Sequence, residues 1–287
     1  MKNIKTFSAL IIAFLFFVPT LFAQGDFVSA KEFSTLIKDK NTKVISAQSS
    51  KNYKTSHITG SVHVDHNTLY KTTGPKGILL SSSALATYFG KKGISNTNTI
   101  IIYDDGKNKY ASRVYWVLKY LGAKNVKILH KDMKTWRTAR VPLTKSATKV
   151  KPATFTASVN KSIIVNTAYV KAHLKDPKVV IVDVRHITEY NGTSPKPVSK
   201  GHIPGAVNIN WEDLITSTGA LKSKDALKKI FSAKGVTSGK TIVLYCATSV
   251  RSGIEYVALK SVLGYPNVKV YDGAYNEWDS LGYKFVK

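Results

Sequence analysis

The sequence predicts an α/β protein of two domains, each a mostly parallel sheet flanked by helices. Short β-branched runs alternate with helical stretches along the chain, the pattern of strands covered on both faces. The two halves repeat one another, which signals duplication of a whole structural unit. A length of 287 residues accommodates two domains of ordinary size.

The repeat is explicit. Thr99-Ile-Ile-Ile-Tyr103-Asp104 matches Thr241-Ile-Val-Leu-Tyr245-Cys246, with Tyr103 and Tyr245 standing 142 positions apart. The same offset carries Leu121-Gly122 onto Leu263-Gly264, Asn125-Val126-Lys127 onto Asn267-Val268-Lys269, and Trp136 onto Trp278. His57-Ile-Thr-Gly60-Ser-Val62 resembles His202-Ile-Pro-Gly205-Ala-Val207 at a slightly different offset, so a small insertion separates them.

Residues 1–23 read as a secretory signal. Lys2 and Lys5 precede an apolar run from Phe7 to Val18, and Leu21-Phe22-Ala23 supplies a small residue for cleavage before Gln24. The run is shorter than the roughly 20 residues of a spanning helix, and Pro19 interrupts it. The expectation is an exported protein, periplasmic or secreted, with no stable membrane anchor after cleavage.

Residues 24–143 form the first predicted domain, with strands at Val44–Ala47, Thr99–Tyr103 and Val126–His130. Residues 144–157, rich in Lys, Thr and Ala and without periodicity, read as a linker. Residues 158–287 form the second domain. Its strands are predicted at Val179–Val184, Thr241–Tyr245 and Val268–Tyr271, and its helices at Asn166–Lys175, Lys224–Ala233 and Ser252–Val262.

Charge narrows the partners. The chain carries 43 Lys plus Arg against 17 Asp plus Glu, a formal net charge of +26. The lysines are scattered, and no nucleic-acid motif accompanies them. The reading is a solvated basic surface that draws in small anions, with no nucleic acid as partner.

Cys246 is the single cysteine, placed between an apolar strand and a helical pattern. Backbone N–H groups at such a turn favour the thiolate, the nucleophilic form. An unpaired thiol in an exported chain calls for a chemical explanation. In the loop Cys-Ala-Thr-Ser-Val-Arg, the residues Ala247, Thr248, Ser249 and Val250 would aim amides at a bound anion, as in a nest. The hydroxyls of Thr248 and Ser249 would add donors. Arg251 closes the loop, either to grip an anionic donor or to pair with a nearby acid.

Four segments in order carry a family resemblance. They are Val182-Asp183-Val184-Arg185 with Glu189-Tyr190-Asn191-Gly192, Gly201-His-Ile-Pro-Gly-Ala206, the loop at Cys246, and Val270-Tyr-Asp-Gly-Ala-Tyr-Asn-Glu-Trp278. Together they resemble the rhodanese family of sulfurtransferases in its tandem two-domain form. The resemblance implies a rhodanese-like fold in each half, catalysis in the second, and a persulfide on Cys246. It implies no cofactor and no metal, a small anionic sulfur donor, and a thiol or cyanide as acceptor. Thiosulfate and 3-mercaptopyruvate both remain open as donors. Asp183 and Arg185 would border the site, Asp183 in support and Arg185 either structural or reaching the donor. Glu189 departs from vertebrate-type members, some of which carry a second arginine there.

The first half reads as inactive. Asp104 takes the place of Cys246, and Ser46 to Gln48 replace the Asp-x-Arg element. Its expected role is a structural wall to the cleft. Two rival functions are a non-catalytic or partner-dependent sulfur carrier or binding module, and a cysteine phosphatase. Phosphatases of the related fold use Cys-x5-Arg, and the spacing here is one residue shorter, which suits a single sulfur. His57, His63, Asp65 and His66 read as hydrogen-bonded groups and not as a metal site, His202 as a residue ordering its loop, and Trp136 and Trp278 as packing residues.

Overall fold

The computed structural model describes residues 25–105, 107–130 and 133–287. The expected signal segment, 1–23, lies outside the described residues.

The first half runs β1 (Phe27–Val28), α1 (Ala30–Leu36), β2 (Thr42–Ser46), α2 (Ser50–Thr55), β3 (His57–Ile58), β4 (Val62–His63), α3 (Ser82–Lys91), β5 (Thr99–Tyr103), α4 (Lys109–Tyr120), β6 (Val126–Leu129), α5 (Met133–Thr138) and β7 (Leu143–Thr144). The second runs β8 (Ile164–Val165), α6 (Thr167–Ala172), β9 (Val179–Asp183), α7 (Ile187–Tyr190), β10 (Val207–Asn208), α8 (Lys224–Ser232), β11 (Thr241–Tyr245), α9 (Ser252–Val257), β12 (Val268–Tyr271) and α10 (Ala274–Ser280).

Two parallel five-stranded sheets result, ordered β1-β6-β5-β2-β4 and β8-β12-β11-β9-β10. The orders correspond strand for strand, as the repeat predicts. Register confirms it: Ser46 stands opposite Tyr103, and Asp183 opposite Tyr245. The Tyr103 hydroxyl accepts from the Ile58 amide at 2.8 Å, and the Tyr245 hydroxyl from the Ile203 amide at 3.1 Å. The central strands β5 and β11 are buried from their second residue onward, which is why they read as unbroken apolar runs.

Side-chain caps set where helices begin. Ser29 and Glu32 form a reciprocal capping box on α1, Asn166 caps α6, and Ser223 caps α8. The predicted helix at Ser252–Val262 is a composite: the α-helix ends at Val257 and residues Ala258–Val262 continue as a π-helix. Residues 145–160 hold no helix or strand, yet this segment is fastened down. Ala153 N donates to Gly90 O at 2.9 Å, Thr156 N donates to Asn96 Oδ1 at 3.1 Å, and Phe155 is buried.

The halves share one hydrophobic cluster that runs from Ile45 and Trp116 to Cys246 and Leu259. Helices α4 and α9 cross there at close range. A Cβ on Gly253 would lie 2.7 Å from the Ser112 carbonyl carbon, so only glycine permits this approach. Among the described residues no helix is long and apolar enough to cross a membrane.

Candidate active site at the carboxyl end of the second sheet

Parallel strands place their carboxyl ends along one edge, where α/β folds collect their functional loops. Cys246 follows β11 at that edge, and α9 begins at Ser252. The thiol is fully buried and belongs to the shared apolar cluster, yet polar groups also reach it. The amides of Thr248, Arg251 and Ser252 face the sulfur. Burial opposes ionisation of the thiol; the Arg251 charge and these three amides outweigh it, and the thiol sits below its ordinary pKa.

The loop is braced from several sides. Tyr275 N donates to Cys246 O at 2.9 Å, Asn276 N to Ala247 O at 3.3 Å, and Gly253 N to Val250 O at 3.1 Å. Of the four residues expected to form the cradle, Thr248 presents its amide to the sulfur. Ser249 differs from expectation. Its hydroxyl turns away and donates to Tyr271 O at 2.6 Å and Asp272 O at 3.0 Å. Those bonds hold Ser249 in the left-handed region, φ 58°, an unfavourable conformation for a side chain with Cβ.

Arg251 pairs with an acid, one of its two expected roles, and also reaches the thiol. Its guanidinium lies against Cys246. It also donates to Glu189 of α7, Nη1 to Oε2 at 2.6 Å and Nη2 to Oε1 at 2.9 Å. Burial pushes the Glu189 carboxyl up, and the Arg251 bonds overcome this and hold it below its ordinary value.

Of the two roles expected for Arg185, structural or reaching the donor, its hydrogen bonds take the structural one, since its donors go to Asp183, Ser199 and Gly201. Its Nε and Nη2 donate to the Asp183 carboxylate, at 2.9 and 3.0 Å from Nε and 2.6 Å from Nη2. Nη1 donates to Ser199 Oγ at 3.1 Å, and Nη2 to Gly201 O at 2.7 Å. Both members of the pair are buried, and each requires the other.

Two groups were missed from sequence. Glu255, one turn into α9, is fully buried, and neither carboxylate oxygen has a hydrogen-bond partner among the described residues. Burial, then the charges of Asp183, Cys246 and Asp213, drives its pKa well above the carboxylate range. Arg113 of α4 crosses from the first half. It is fully buried and donates to Gly77 O at 3.0 Å and Ser249 O at 3.5 Å. A charged residue directly ahead of the apolar run Val114-Tyr-Trp-Val-Leu118 was the available signal.

A model of the rhodanese-like domain matches residues 29–139 and again 166–281. The chain belongs to the rhodanese family. It is 32% identical over 241 residues to the thiosulfate sulfurtransferase of Rattus norvegicus, covering 80% of each chain. It is also 32% identical over 241 residues to the sulfur carrier protein TtuD of Thermus thermophilus, covering 80% of this chain and 84% of that one. The crystal structure of SseA from Escherichia coli, described as the rhodanese fold of 3-mercaptopyruvate sulfotransferases, superposes with a TM-score of 0.79 at 29% identity. The match covers 88% of this chain and 99% of SseA.

The first rhodanese-like domain repeats the site with its chemistry replaced. Asp104 accepts from the amides of Asn108 at 3.0 Å, Tyr110 at 3.0 Å and Ala111 at 3.2 Å. Where Asp183 and Arg185 pair in the second domain, Ser46 Oγ donates to Gln48 Oε1 at 3.0 Å in the first. The histidines of the paired His-Ile segments act alike. His57 stacks on Tyr53 with ring centroids 3.8 Å apart and bonds the Tyr53 carbonyl; His202 stacks on Tyr190 at 3.6 Å and bonds the Tyr190 carbonyl. His63 bonds Gln48 O at 2.9 Å, and His66 lies 3.4 Å from Asp65. Trp136 and Trp278 are buried packing residues, their indole N–H groups donating to His130 O and Lys284 O.

Proposed function

We propose that this chain is a sulfurtransferase in which the Cys246 thiolate takes the outer sulfur of thiosulfate or the thiol sulfur of 3-mercaptopyruvate. A persulfide on Cys246 then passes that sulfur to a thiophilic acceptor such as a thiol or cyanide. One observation carries the reading: the lone thiol is buried, yet three loop amides and Arg251 surround it and favour its anion. Attack by a thiolate on a sulfane sulfur is the displacement that governs disulfide exchange, and splitting the transfer in two lowers each barrier. The sulfurtransferase relatives support the same reading.

In this mechanism Cys246 is the nucleophile, and the amides of Thr248, Arg251 and Ser252 hold the charge. Arg251 steers the anionic donor, Glu189 aims Arg251, and the Asp183–Arg185 pair fixes the neighbouring strand end. No cofactor or metal takes part. The first domain serves as a wall of the site. We also propose export, on the strength of residues 1–23; amino-terminal sequencing of the mature protein should begin near Gln24.

Intact mass tests the chemistry. Thiosulfate or 3-mercaptopyruvate should add about one sulfur atom, cyanide should remove it, and Cys246→Ser should gain nothing. A mass unchanged by either donor refutes sulfur transfer. The likeness to TtuD favours a second reading, a carrier that loads sulfur and delivers it only to a protein partner. Loading without turnover on cyanide would select it.

A further inference from the structure

Tyr70 belongs to the first domain but stands at the catalytic loop of the second. It follows the 3-10 turn His66–Leu69 and forms a backbone bridge with Leu79. The chain between them doubles back, Lys71 N donating to Ile78 O at 2.8 Å and Leu80 N to Leu69 O at 3.0 Å. The second domain pins this strap. Asn276 Nδ2 donates to Lys76 O at 3.1 Å, and Leu79 N donates to Asp272 Oδ2 at 3.0 Å. A Cβ on Gly77, whose φ is +115°, would lie 2.8 Å from Thr248 Cα, so the strap rests directly on the thiol loop.

The Tyr70 ring is held 4.9 Å from the Arg113 guanidinium, itself bonded to Gly77 O and Ser249 O. The phenol is 6% exposed. Its hydroxyl lies beside the Thr248 side chain, two residues along the loop from Cys246, and feels the charge of the thiolate. It makes no hydrogen bond of ordinary geometry among the described residues. A buried hydroxyl without a partner is costly and uncommon in native proteins. Among the other side chains nearby, Arg251 donates to Glu189, Ser249 to Tyr271 and Asp272, and Arg185 to Asp183, while the Ser252 hydroxyl and Arg113 Nε, like the Tyr70 hydroxyl, are buried without a partner among the described residues.

We propose that Tyr70 is a substrate contact whose phenolic O–H donates to the sulfur being transferred, first in the donor and then as the persulfide terminus on Cys246. The proposal rests on the sulfur-transfer reading above. In the step itself, Cys246 Sγ attacks the donor's outer sulfur and a new S–S bond forms. The bond from that sulfur to the rest of the donor breaks, and its electron pair leaves with that fragment: sulfite from thiosulfate, or from 3-mercaptopyruvate the enolate of pyruvate, which takes up the proton released by the donor's thiol. Tyr70 keeps its proton throughout. Burial, opposed by the Arg113 charge, pushes its pKa up to about 12. A neutral donor aimed at developing negative charge accelerates the step without proton transfer.

Tyr70→Phe in the full chain separates this role from packing, because the phenyl ring keeps its place on Arg113 while the unpaired hydroxyl goes. Two quantities are read: the melting temperature, and the single-turnover rate of sulfur loading by intact mass with thiosulfate and with 3-mercaptopyruvate. The expected result is an unchanged or raised melting temperature with loading slowed about ten- to a hundredfold, the effect of one hydrogen bond to a charged group. Loading at the wild-type rate overturns the assignment. So does a rate loss that tracks a lowered melting temperature. A wild-type protein that takes no sulfur from either donor instead overturns sulfur transfer itself, a result visible before any variant is made.

Discussion

Glu189 and Arg251 clasp each other through two parallel hydrogen bonds of 2.6 and 2.9 Å, while the same guanidinium lies against Cys246. One positive charge thus serves two anions. In Glu189→Gln the side chain keeps its size and one acceptor, the second acceptor becomes an amide donor, and the competing charge goes. The thiol pKa should fall further, and the KM for thiosulfate should fall a few-fold. Alkylation rates across pH and steady-state kinetics measure the two effects, and a raised KM would contradict the arrangement.

Acid should switch the protein off later than an ordinary thiol would allow. Free cysteine ionises near pH 8.5, and Cys246 ionises below its usual value. The folded pKa is depressed, so the thiolate stabilises the fold fully above the unfolded value and loses that contribution as pH falls through the folded pKa. Relative to Cys246→Ser, the wild type should therefore gain melting temperature as pH rises through this window. Parallel melting curves at every pH would refute a thiolate in the folded state.

Glu255 should show the opposite sign. Its folded pKa is raised by burial. The stability tied to its proton is complete below about pH 4.3, the ordinary value for glutamate, and drains away as pH climbs toward the folded pKa. Glu255→Met fills similar space and removes an unpartnered carboxyl. It should stabilise the protein by about 1–3 kcal/mol near neutral pH and flatten the pH slope. Denaturant melts from pH 4 to 8 provide the test, and a destabilised variant would reveal a partner for this carboxyl.

The Asp183–Arg185 pair should matter to folding more than to donor binding. Both side chains are buried and bonded to each other. Arg185→Ala strands a buried carboxylate and should cost roughly 3–5 kcal/mol. The fraction that folds should keep its KM for thiosulfate. A KM raised tenfold at unchanged stability would show that Arg185 reaches the donor instead.

The sequence revealed what depends on local pattern. Buried parallel strands need continuous apolar runs, so β5, β11 and β12 were legible to the residue. The thiol loop was legible because polar residues follow such a run directly. Side-chain direction was not. Ser249 and Thr248 are neighbours of similar type, yet Ser249 faces the Tyr271 and Asp272 carbonyls. Contacts that cross the chain were hidden too. Glu189 finds Arg251 from 62 positions away, and Arg113 reaches Ser249 from 136. The two-residue strands β1 and β8 carry too few side chains to show any period, and their pairing comes from the neighbouring strands. Glu255 is the plainest failure, since a glutamate on a helix reads as solvated and this one is not.

Asp104 fixes the fate of the duplicated lobe. Its carboxylate plugs its own ring of N–H groups from within, so that socket arrives from folding already occupied by a tethered anion. No free solute competes well against a guest attached by a covalent leash. The lobe thus holds a fixed carboxylate where its twin holds the thiol, and the sulfur transfer proposed for the twin would meet no second cysteine there.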